Sequence, residues 1–279
     1  MWADRRGSVA ARVAAHAALA LAVVVTCAPL VWMASTSLET PEAVFARPLL
    51  PLPWPPTAAN FAAVLAGADV PRQLLNSLVV AAGVTVGQLV IALPAAYVFA
   101  RRPFSGSGAL FSCVLVTLPI PFVVLYLPNY VLVARTGLLD SYAGLILPQL
   151  AGAYAVFLLR QRIAGIPQAL IDAARLDGAG EWTILWRIVL PVCRAAVAAL
   201  AIFVFITAWN EYVWPSLVAP DPSMRVLTVG VAQFAGGEGG TRWGPTMAAA
   251  VLACLPTGIA YLVFRRHVLA AVMEGATKG

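Results

Sequence analysis

The sequence carries little charge for its length. Of its 279 residues 11% are charged and 61% are hydrophobic, whereas a soluble domain carries about 25% charged residues. This composition excludes an ordinary soluble domain and predicts a membrane protein. Lysine occurs once, at Lys278, and no G-x-x-x-x-G-K-[ST] loop is present. Because that loop needs its lysine to hold nucleotide phosphates, we predict that the chain does not hydrolyse ATP.

Motifs for catalysis and metal binding are also missing. The sequence contains no H-E-x-x-H and no G-x-S-x-G, and its two histidines, His16 and His267, are isolated. The four cysteines form no C-x-x-C pair and lie in or beside apolar segments, so we interpret them as small apolar residues. We therefore expect no enzyme activity, no metal site and no cofactor in this chain.

Long apolar segments dominate what is present. Each is long enough, or nearly so, to cross about 30 Å of hydrocarbon as a helix. We predict a single all-α membrane domain over residues 1–279, with a proline-dense loop at 36–72 that is extended and has no core of its own. The six predicted spans are 13–35, 76–100, 109–133, 142–159, 195–217 and 245–264.

The distribution of arginine predicts the orientation of these spans. With the N-terminus in the cytoplasm, thirteen of the 18 basic residues fall on the inner side and five on the outer side. Inner loops carry the excess of Lys and Arg in membrane proteins. We therefore predict a multi-pass protein with both termini in the cytoplasm, and a cytoplasmic loop at 160–194.

That loop contains a short helix, a bend and a second helix. Pro167 suits the first turn of a helix. The spacing predicts that Leu170, Ala173, Ala174 and Asp177 share one helical face, and that Gly178 and Gly180 end the helix. The second helix has apolar side chains at the same spacing: Trp182, Leu185, Trp186 and Val189. By periodicity alone, this is a loop that lies on the membrane surface.

Glu211 is the one acidic residue inside a predicted span. An ionisable group there is costly and points to function. Thr207, Glu211 and Trp214 fall at i, i+4 and i+7, which predicts one helical face. We take the candidate translocation path to be this face together with Asn210 on the same span and Tyr126 and Asn129 on the third. An aromatic belt at the membrane interface is the alternative, and it stays open.

The loop resembles the "EAA" loop of binding-protein-dependent ABC import permeases. The family pattern has E-A-A, three residues, G, nine residues and I-x-L-P. Here Asp172, Ala173 and Ala174 are followed in register by Gly178 and by the segment 188–191, which ends in Pro191. Asp172 stands where the pattern has Glu. The resemblance implies that the first helix, with Asp177 at its end, is a coupling helix that docks into a separate ATPase.

Further motifs extend the resemblance over most of the chain. They are LLNS (74–77), AYVFARRPF (96–104), GLLDSYAGLILP (137–148), WNEY (209–212) and GATKG (275–279). Together they look like the smaller second permease of a maltose-type carbohydrate importer. Within that group, GLLDSYAGLILP and the GEG…W run at 237–243 are most similar to the permeases for sn-glycerol-3-phosphate. The spans contain no cation to meet a phosphate, so a neutral oligosaccharide stays equally open.

The resemblance implies a type I importer permease fold in the bacterial inner membrane. It implies four kinds of partner: a second permease subunit, two ATPase subunits that hold ATP and Mg²⁺, an extracytoplasmic solute-binding protein and membrane lipid. We expect no nucleic-acid partner. The alternative is a channel or a secondary transporter that works without an ATPase. A channel needs no docking loop, and a secondary transporter needs more in-span ionisable groups than Glu211.

Overall fold

A computed structural model describes residues 9–40, 43–46, 55–67, 69–236 and 242–276, and these contain helices and no strands. The α-helices are α1 (Val9–Thr36), α2 (Ala43–Ala46), α3 (Ala59–Gly67), α4 (Val70–Arg101), α5 (Ser107–Val116), α6 (Tyr126–Arg135), α7 (Tyr142–Ile146), α8 (Ala153–Ala164), α9 (Gln168–Leu176), α10 (Glu181–Ile184), α11 (Leu190–Val192), α12 (Arg194–Trp209), α13 (Val213–Val218), α14 (Leu227–Ala235) and α15 (Trp243–Ala276). A π-helical turn, Leu185–Val189, joins α10 to α11. Short 3-10 turns cover Phe122–Leu125, Leu147–Gln149 and Pro222–Met224.

The helices that are long and apolar enough to cross a membrane number three in the part of the chain that the structure describes. They are Ala11–Thr36, Val70–Arg101 and Trp243–Val263, and the number rises to five if each of two bent helix pairs is one span. The bends are 50° between Tyr142–Gln149 and Ala153–Ala164, and 81° between Glu181–Val192 and Arg194–Trp209. Among the described residues, three of the predicted spans are therefore continuous helices, and the others are built from shorter or bent helices.

The segment of the predicted third span, 109–133, is divided into two helices. Two shorter apolar helices, Ser107–Val116 and Phe122–Arg135, cover this segment. Pro119 and Pro121 lie between them. Because proline has no N–H and its ring clashes with the preceding turn, it ends helical hydrogen bonding here. Such breaks are tolerated in membranes where neighbouring helices or a watery path satisfy the freed backbone groups.

The chain forms two compact units by its internal contacts, Met1–Asp69 with Val231–Cys254, and Val70–Gly230 with Leu255–Gly279. The prediction of a single domain stays a prediction. In the first unit, part of the proline-dense loop is ordered, contrary to the prediction. Asn60 on α3 is buried, and its Nδ2 donates to the carbonyls of Ser37 at 3.1 Å and Glu39 at 2.7 Å. An amide that satisfies two carbonyls fixes α3 against the end of α1.

The core of the second unit lies where α4 packs against α8 and α12. Asn76, which is fully buried, donates from Nδ2 to the carbonyls of Ser223 and Arg225, both at 2.9 Å. Its Oδ1 accepts from the Tyr142 hydroxyl at 2.6 Å. Ser77 accepts from the N–H of Leu227 at 2.8 Å. The polar residues of LLNS therefore attach the segment before α14 to α4.

Candidate functional site

Helix α9, the predicted coupling helix, ends in a hydrogen-bonded turn at Gly178. The N–H of Ala179 donates to the Ala174 carbonyl at 2.9 Å, and the N–H of Gly178 donates to the Arg175 carbonyl at 3.0 Å. Gly178 has φ +81°. These bonds form a Schellman motif, which places its left-handed residue at this position. The prediction that Gly178 ends the helix is confirmed.

The predicted helical face of α9 is only partly correct. Leu170, Ala173 and Asp177 are exposed, but Ala174 is buried together with Ile171. Residues 171 and 174 lie three apart, so they form their own inward stripe on the helix. The outward surface of α9 is therefore apolar in part, because Leu170 is 42% exposed and Leu176 is 89% exposed.

Gly180 does not end α9 as predicted but precedes the second helix of the loop, which begins at Glu181. Gly180 is extended, with φ −71° and ψ 161°, and precedes Glu181 as the N-cap of α10. Leu185 and Val189 are buried, whereas Trp182 and Trp186 remain 65% and 43% exposed. The four therefore divide between an inward and an outward side.

Pro191 lies on the outside of the loop, just before the bend into α12. Pro191 is exposed in α11, and the chain bends by 81° between Val192 and Arg194. The EAA-like pattern, which ends at Pro191, therefore lies entirely before the bend into the apolar helix α12.

Asp172 is exposed but hydrogen-bonded within its own helix. Its Oδ1 accepts from Gln168 Nε2 at 2.9 Å, and it lies 3.4 Å from Arg175 Nη1. The partners lie four residues before and three residues after it, the spacings at which helical side chains meet. Exposed ion pairs of this kind contribute about 0–1 kcal/mol. Asp172 can therefore exchange Arg175 for a charged group of another protein at little cost in free energy.

Glu181 connects the loop at the end of α9 to the end of α4. Its Oε1 lies 2.6 Å from Arg102 Nη2 and 3.3 Å from Arg175 Nε, and its Oε2 accepts from the Tyr97 hydroxyl at 2.5 Å. Burial alone raises the pKa of the Glu181 carboxyl. The hydrogen bond from Tyr97 and the charges of Arg102 and Arg175 outweigh that effect, so the pKa lies below its ordinary value of 4.5.

Arg101 attaches the start of the loop to α4. Its Nη2 donates to the carbonyls of Ile163 at 2.6 Å and of Ile166, and its Nη1 donates to Gln168 Oε1 at 2.9 Å. The last carbonyls of a helix have no partner within that helix, and Arg101 supplies one at the end of α8. Sequence reasoning used Arg101 and Arg102 for topology alone and did not assign Tyr97, Arg175 or Glu181 a role. The AYVFARRPF motif was the available signal.

The predicted face of Thr207, Glu211 and Trp214 does not exist as one helical stripe. Helix α12 ends at Trp209, and α13 begins at Val213. Glu211 lies in the break, where its Oε1 accepts from the N–H groups of Val213 at 3.0 Å and Trp214 at 3.2 Å. The carboxylate therefore satisfies the unpaired N–H groups at the start of α13, as an N-cap side chain does.

Three of the six path residues do come together. The Tyr126 hydroxyl donates to Glu211 Oε1 at 3.0 Å. The rings of Tyr126 and Trp214 stack with their centroids 6.2 Å apart. Trp214 is fully buried and its Nε1 donates to the Leu145 carbonyl at 3.3 Å. Tyr126, Glu211 and Trp214 are thus a packed cluster that secures the helix break.

The other three path residues take no part in these contacts. Asn210 is exposed, and its Nδ2 donates to the Ile206 carbonyl at 2.9 Å. Asn129 is half-buried on α6, three residues beyond Tyr126. Thr207 is exposed and lines a cavity of about 480 Å³.

This cavity has uncharged, mostly apolar walls with a few polar groups. It lies in the second unit, beside the break before α6 and the break before α8. Aromatic faces and hydrogen-bonding groups share its lining, an arrangement typical of small-molecule sites. Its polar and aromatic residues include Gln88, Thr117, Phe122, Gln149, Tyr154 and Thr207.

Comparison with known proteins places this geometry in context. The sequence model of the family described as "Binding-protein-dependent transport system inner membrane component" matches residues 88–273. The sn-glycerol-3-phosphate transport system permease protein UgpE of Agrobacterium fabrum is 34% identical over 274 residues, 95% of this chain and 96% of that protein. The UgpE protein of Yersinia pestis (strain Antiqua) is 33% identical over 93% of this chain and 95% of its own length.

Solved structures share the fold at lower identity. One chain of a bacterial ABC transporter involved in the import of the acidic polysaccharide alginate superposes with a TM-score of 0.83 at 20% identity, over 95% of this chain and 99% of that chain. A chain of the MetNI methionine ABC transporter, in an inward-facing form, gives a TM-score of 0.56 at 20% identity, over 72% of this chain and 95% of its own.

Proposed function

The chain belongs to the family of binding-protein-dependent transport system inner membrane components, and from this premise we propose that loop 160–194 couples it to a separate ATPase. As a member of that family it is a permease subunit of an ABC importer. In the proposed assembly it forms half of the translocation pore beside a second permease. Two ATPase subunits bind ATP and Mg²⁺ on the cytoplasmic side, where both termini lie. An extracytoplasmic binding protein delivers the solute.

The observation that carries this proposal is the exposed apolar surface of a short, firmly attached helix. Leu176 is 89% exposed and Leu170 is 42% exposed on α9, while Arg101 and Glu181 hold both ends of the helix in place. Fully burying a leucine side chain contributes about 1.5–3 kcal/mol. A partner that covers this surface gains that energy without ordering the helix first.

Asp172, Ala173, Asp177 and Gly178 complete the proposed docking surface. The three side-chain-bearing residues are exposed, and Gly178 turns the chain away so that the end of α9 is uncovered. Ala174 and Pro191 take a different role: the first packs inward, and the second lies where the loop leaves for α12. In this proposal Ala174 supports the docking helix from below and Pro191 marks the far end of the loop.

The proposed solute is sn-glycerol-3-phosphate or a neutral oligosaccharide. The relatives named UgpE support the first. The uncharged cavity at Gln88 and Thr207 supports the second, because a dianion in an apolar surrounding without a cation is costly. The solute path in this proposal runs past Thr207 and that cavity. The packed cluster of Tyr126, Glu211 and Trp214 forms a rigid support at one side of it, with Asn129 and Asn210 beside the cluster.

Affinity purification tests the docking surface. The tagged chain, expressed in membranes with its importer subunits, is expected to co-purify with an ATPase whose hydrolysis is inhibited by vanadate. Asp172→Lys reverses a charge on the docking surface and should reduce the recovered ATPase activity. The matched control is Asp221→Lys, an exposed charge reversal between α13 and α14, which should not. Equal recovery of ATPase activity with both variants would contradict the proposed docking surface.

A further inference from the structure

The docking helix is held to the cytoplasmic end of α4 at both of its own ends. At its start, Gln168 Oε1 accepts from Arg101 Nη1 at 2.9 Å. Beyond its end, Glu181 contacts Tyr97 at 2.5 Å and Arg102 at 2.6 Å. We call these five residues the α4 clamp. Tyr97 and Arg101 lie in the last turns of α4, and Arg102 follows directly, with its N–H donating to the Val98 carbonyl at 2.9 Å. The anchoring groups therefore all lie at one end of one helix.

A line of hydrogen-bonded side chains joins the two ends of the clamp along α9. Gln168 Nε2 donates to Asp172 Oδ1 at 2.9 Å, and Asp172 lies 3.4 Å from Arg175 Nη1. Arg175 Nε then lies 3.3 Å from Glu181 Oε1. Arg101 thus holds the start of the docking helix to α4, and Glu181 holds its far end.

The covalent connections of α9 are the less rigid route to the membrane. The helix joins α8 through Gly165, and it joins α10 through a bend that contains Gly178 and Gly180. Glycine leaves the backbone freer to change its dihedral angles than any other residue. When α9 is displaced, these bends can change their dihedral angles while the spanning helices stay in place. A contact between α9 and a spanning helix is therefore needed to move that helix.

Helix α4 leads from the clamp to the uncharged cavity. It packs against α8 and α12 and carries Gln88 in the cavity wall. The Gln88 amide is fixed there, because its Nε2 donates to the Gln149 carbonyl at 2.6 Å. Gln88 lies thirteen residues before Arg101, which is about 20 Å along a helix that rises 1.5 Å per residue.

We propose that Glu181 is a positioning residue for coupling: it fixes the docking helix to α4, so that a displacement of α9 by the ATPase moves the cavity wall at Gln88. This inference rests on the proposed docking of α9 to an ATPase. It adds a non-covalent route for the displacement through α4, the second predicted span. The covalent route runs through the fourth and fifth spans, which flank the loop in sequence. Such coupling requires an element with two states that both sites bias, and the proposal assigns this part to α4.

The experiment follows the cavity wall directly and needs no knowledge of the solute. The four native cysteines are replaced by serine, and Gln88→Cys supplies a single reporter in the assembled importer with its ATPase. Its rate of reaction with a small maleimide is measured without nucleotide and after trapping with ATP and vanadate. With Glu181 intact, the two rates should differ about fivefold or more, the usual scale of coupling between sites.

Variants of the clamp should remove that difference while the complex stays assembled. Glu181→Gln keeps the shape of the side chain and removes its charge, and Arg102→Gln removes the partner charge. If both act through one contact, the double variant should lose no more than the more severe single variant. Arg187→Gln is the matched control, because Arg187 is an exposed arginine of the same loop outside the clamp.

The outcomes separate this inference from the proposed docking. Loss of the nucleotide-dependent rate difference with retained ATPase co-purification supports the role of Glu181. A wild-type difference that persists in Glu181→Gln and in Glu181→Ala overturns it. So does the absence of any nucleotide effect at position 88 in a complex that hydrolyses ATP. Failure of the unsubstituted chain to co-purify with an ATPase would instead refute the proposed docking itself.

Discussion

Replacing Gly178 tests the turn that ends the docking helix. Gly178 has φ +81°, and a Cβ added there would meet nothing within 4 Å. Substitution is therefore not opposed by a clash, and its cost is the left-handed backbone alone, about 1–2 kcal/mol for an L-residue. The turn is already formed with glycine, but Gly178→Ala can relieve this strain by leaving the turn while undocked, and docking must then restore it. If the full cost is restored on docking, the affinity for the ATPase falls by about 5- to 30-fold, since about 1.4 kcal/mol is tenfold.

The loss of affinity should depend on which residue replaces Gly178. Gly178→Asn should lose less than Gly178→Ala, because asparagine tolerates the left-handed region, and Gly178→Val should lose most. The control is Gly165→Ala. Gly165 has φ −78°, and its added Cβ would lie 3.5 Å from the Arg162 carbonyl oxygen, an ordinary contact. Alanine at such a compatible position stabilises the folded protein by about 0.4–1 kcal/mol, because it reduces the conformational entropy of the unfolded chain.

The assay is a titration of detergent-solubilised permease complex with labelled ATPase subunits. The predicted order of affinity is Gly165→Ala and wild type together, then Gly178→Asn, Gly178→Ala and Gly178→Val. The thermal unfolding temperature serves to show that each variant remains folded. Equal affinities for Gly178→Val and Gly165→Ala would refute the argument that a left-handed turn presents this helix.

Four further predictions concern other parts of the account. Asp172→Lys should keep membrane insertion but lose solute-stimulated ATP hydrolysis and uptake, measured in proteoliposomes. Glu211→Gln should retain transport, because an amide oxygen can still accept from the α13 N–H groups, whereas Glu211→Ala loses the cap at a cost of about 1 kcal/mol and should transport less. In a cysteine-free background, an impermeant maleimide added to intact cells should label Pro222→Cys and not Gly180→Cys. The pKa of Glu181 is lowered on folding, so its clamp contributes stability that is complete above about pH 4.5 and is lost as the pH falls through the lower folded pKa. An unfolding curve measured against pH should show this loss in the wild type and lack it in Glu181→Gln.

The parts of the site predicted correctly from sequence depend on local backbone chemistry. Gly178 ends α9 because a glycine after a short amphipathic helix supplies the left-handed residue that a Schellman motif requires. Asp172 and Ala173 are exposed because the helix turns its apolar stripe at Ile171 and Ala174 inward. These features follow from spacing over a few residues, which a single sequence contains.

The parts predicted wrongly depend on breaks and on distant partners. The stripe of Thr207, Glu211 and Trp214 assumed a continuous helix, but α12 ends at Trp209. Helical spacing has no meaning across such a break. Glu181 was overlooked because its partners include Tyr97 and Arg102, about eighty residues away in sequence. One sequence indicates a cluster of charges near a loop, but it does not indicate which of them meet.

The tail GATKG (275–279) and the GEG…W run at 237–243 fall partly outside the described residues. Their resemblance to the family therefore remains a sequence observation. The same holds for Arg5, Arg6 and Lys278 in the charge count. The orientation of the termini accordingly stays a prediction that rests on the whole distribution of basic residues, and accessibility labelling is its test.

A site-specific photo-cross-link at Leu176 tests whether the ATPase docks on α9. Leu176 is the most exposed large apolar side chain of the docking helix, at 89%. With p-benzoylphenylalanine in its place, irradiated membranes should yield a covalent adduct between this chain and the ATPase subunit. The same photoreactive residue at Leu127, 73% exposed on α6, should yield no such adduct. An adduct with the ATPase from Leu127, or none from Leu176 in a complex that hydrolyses ATP, would contradict docking through α9.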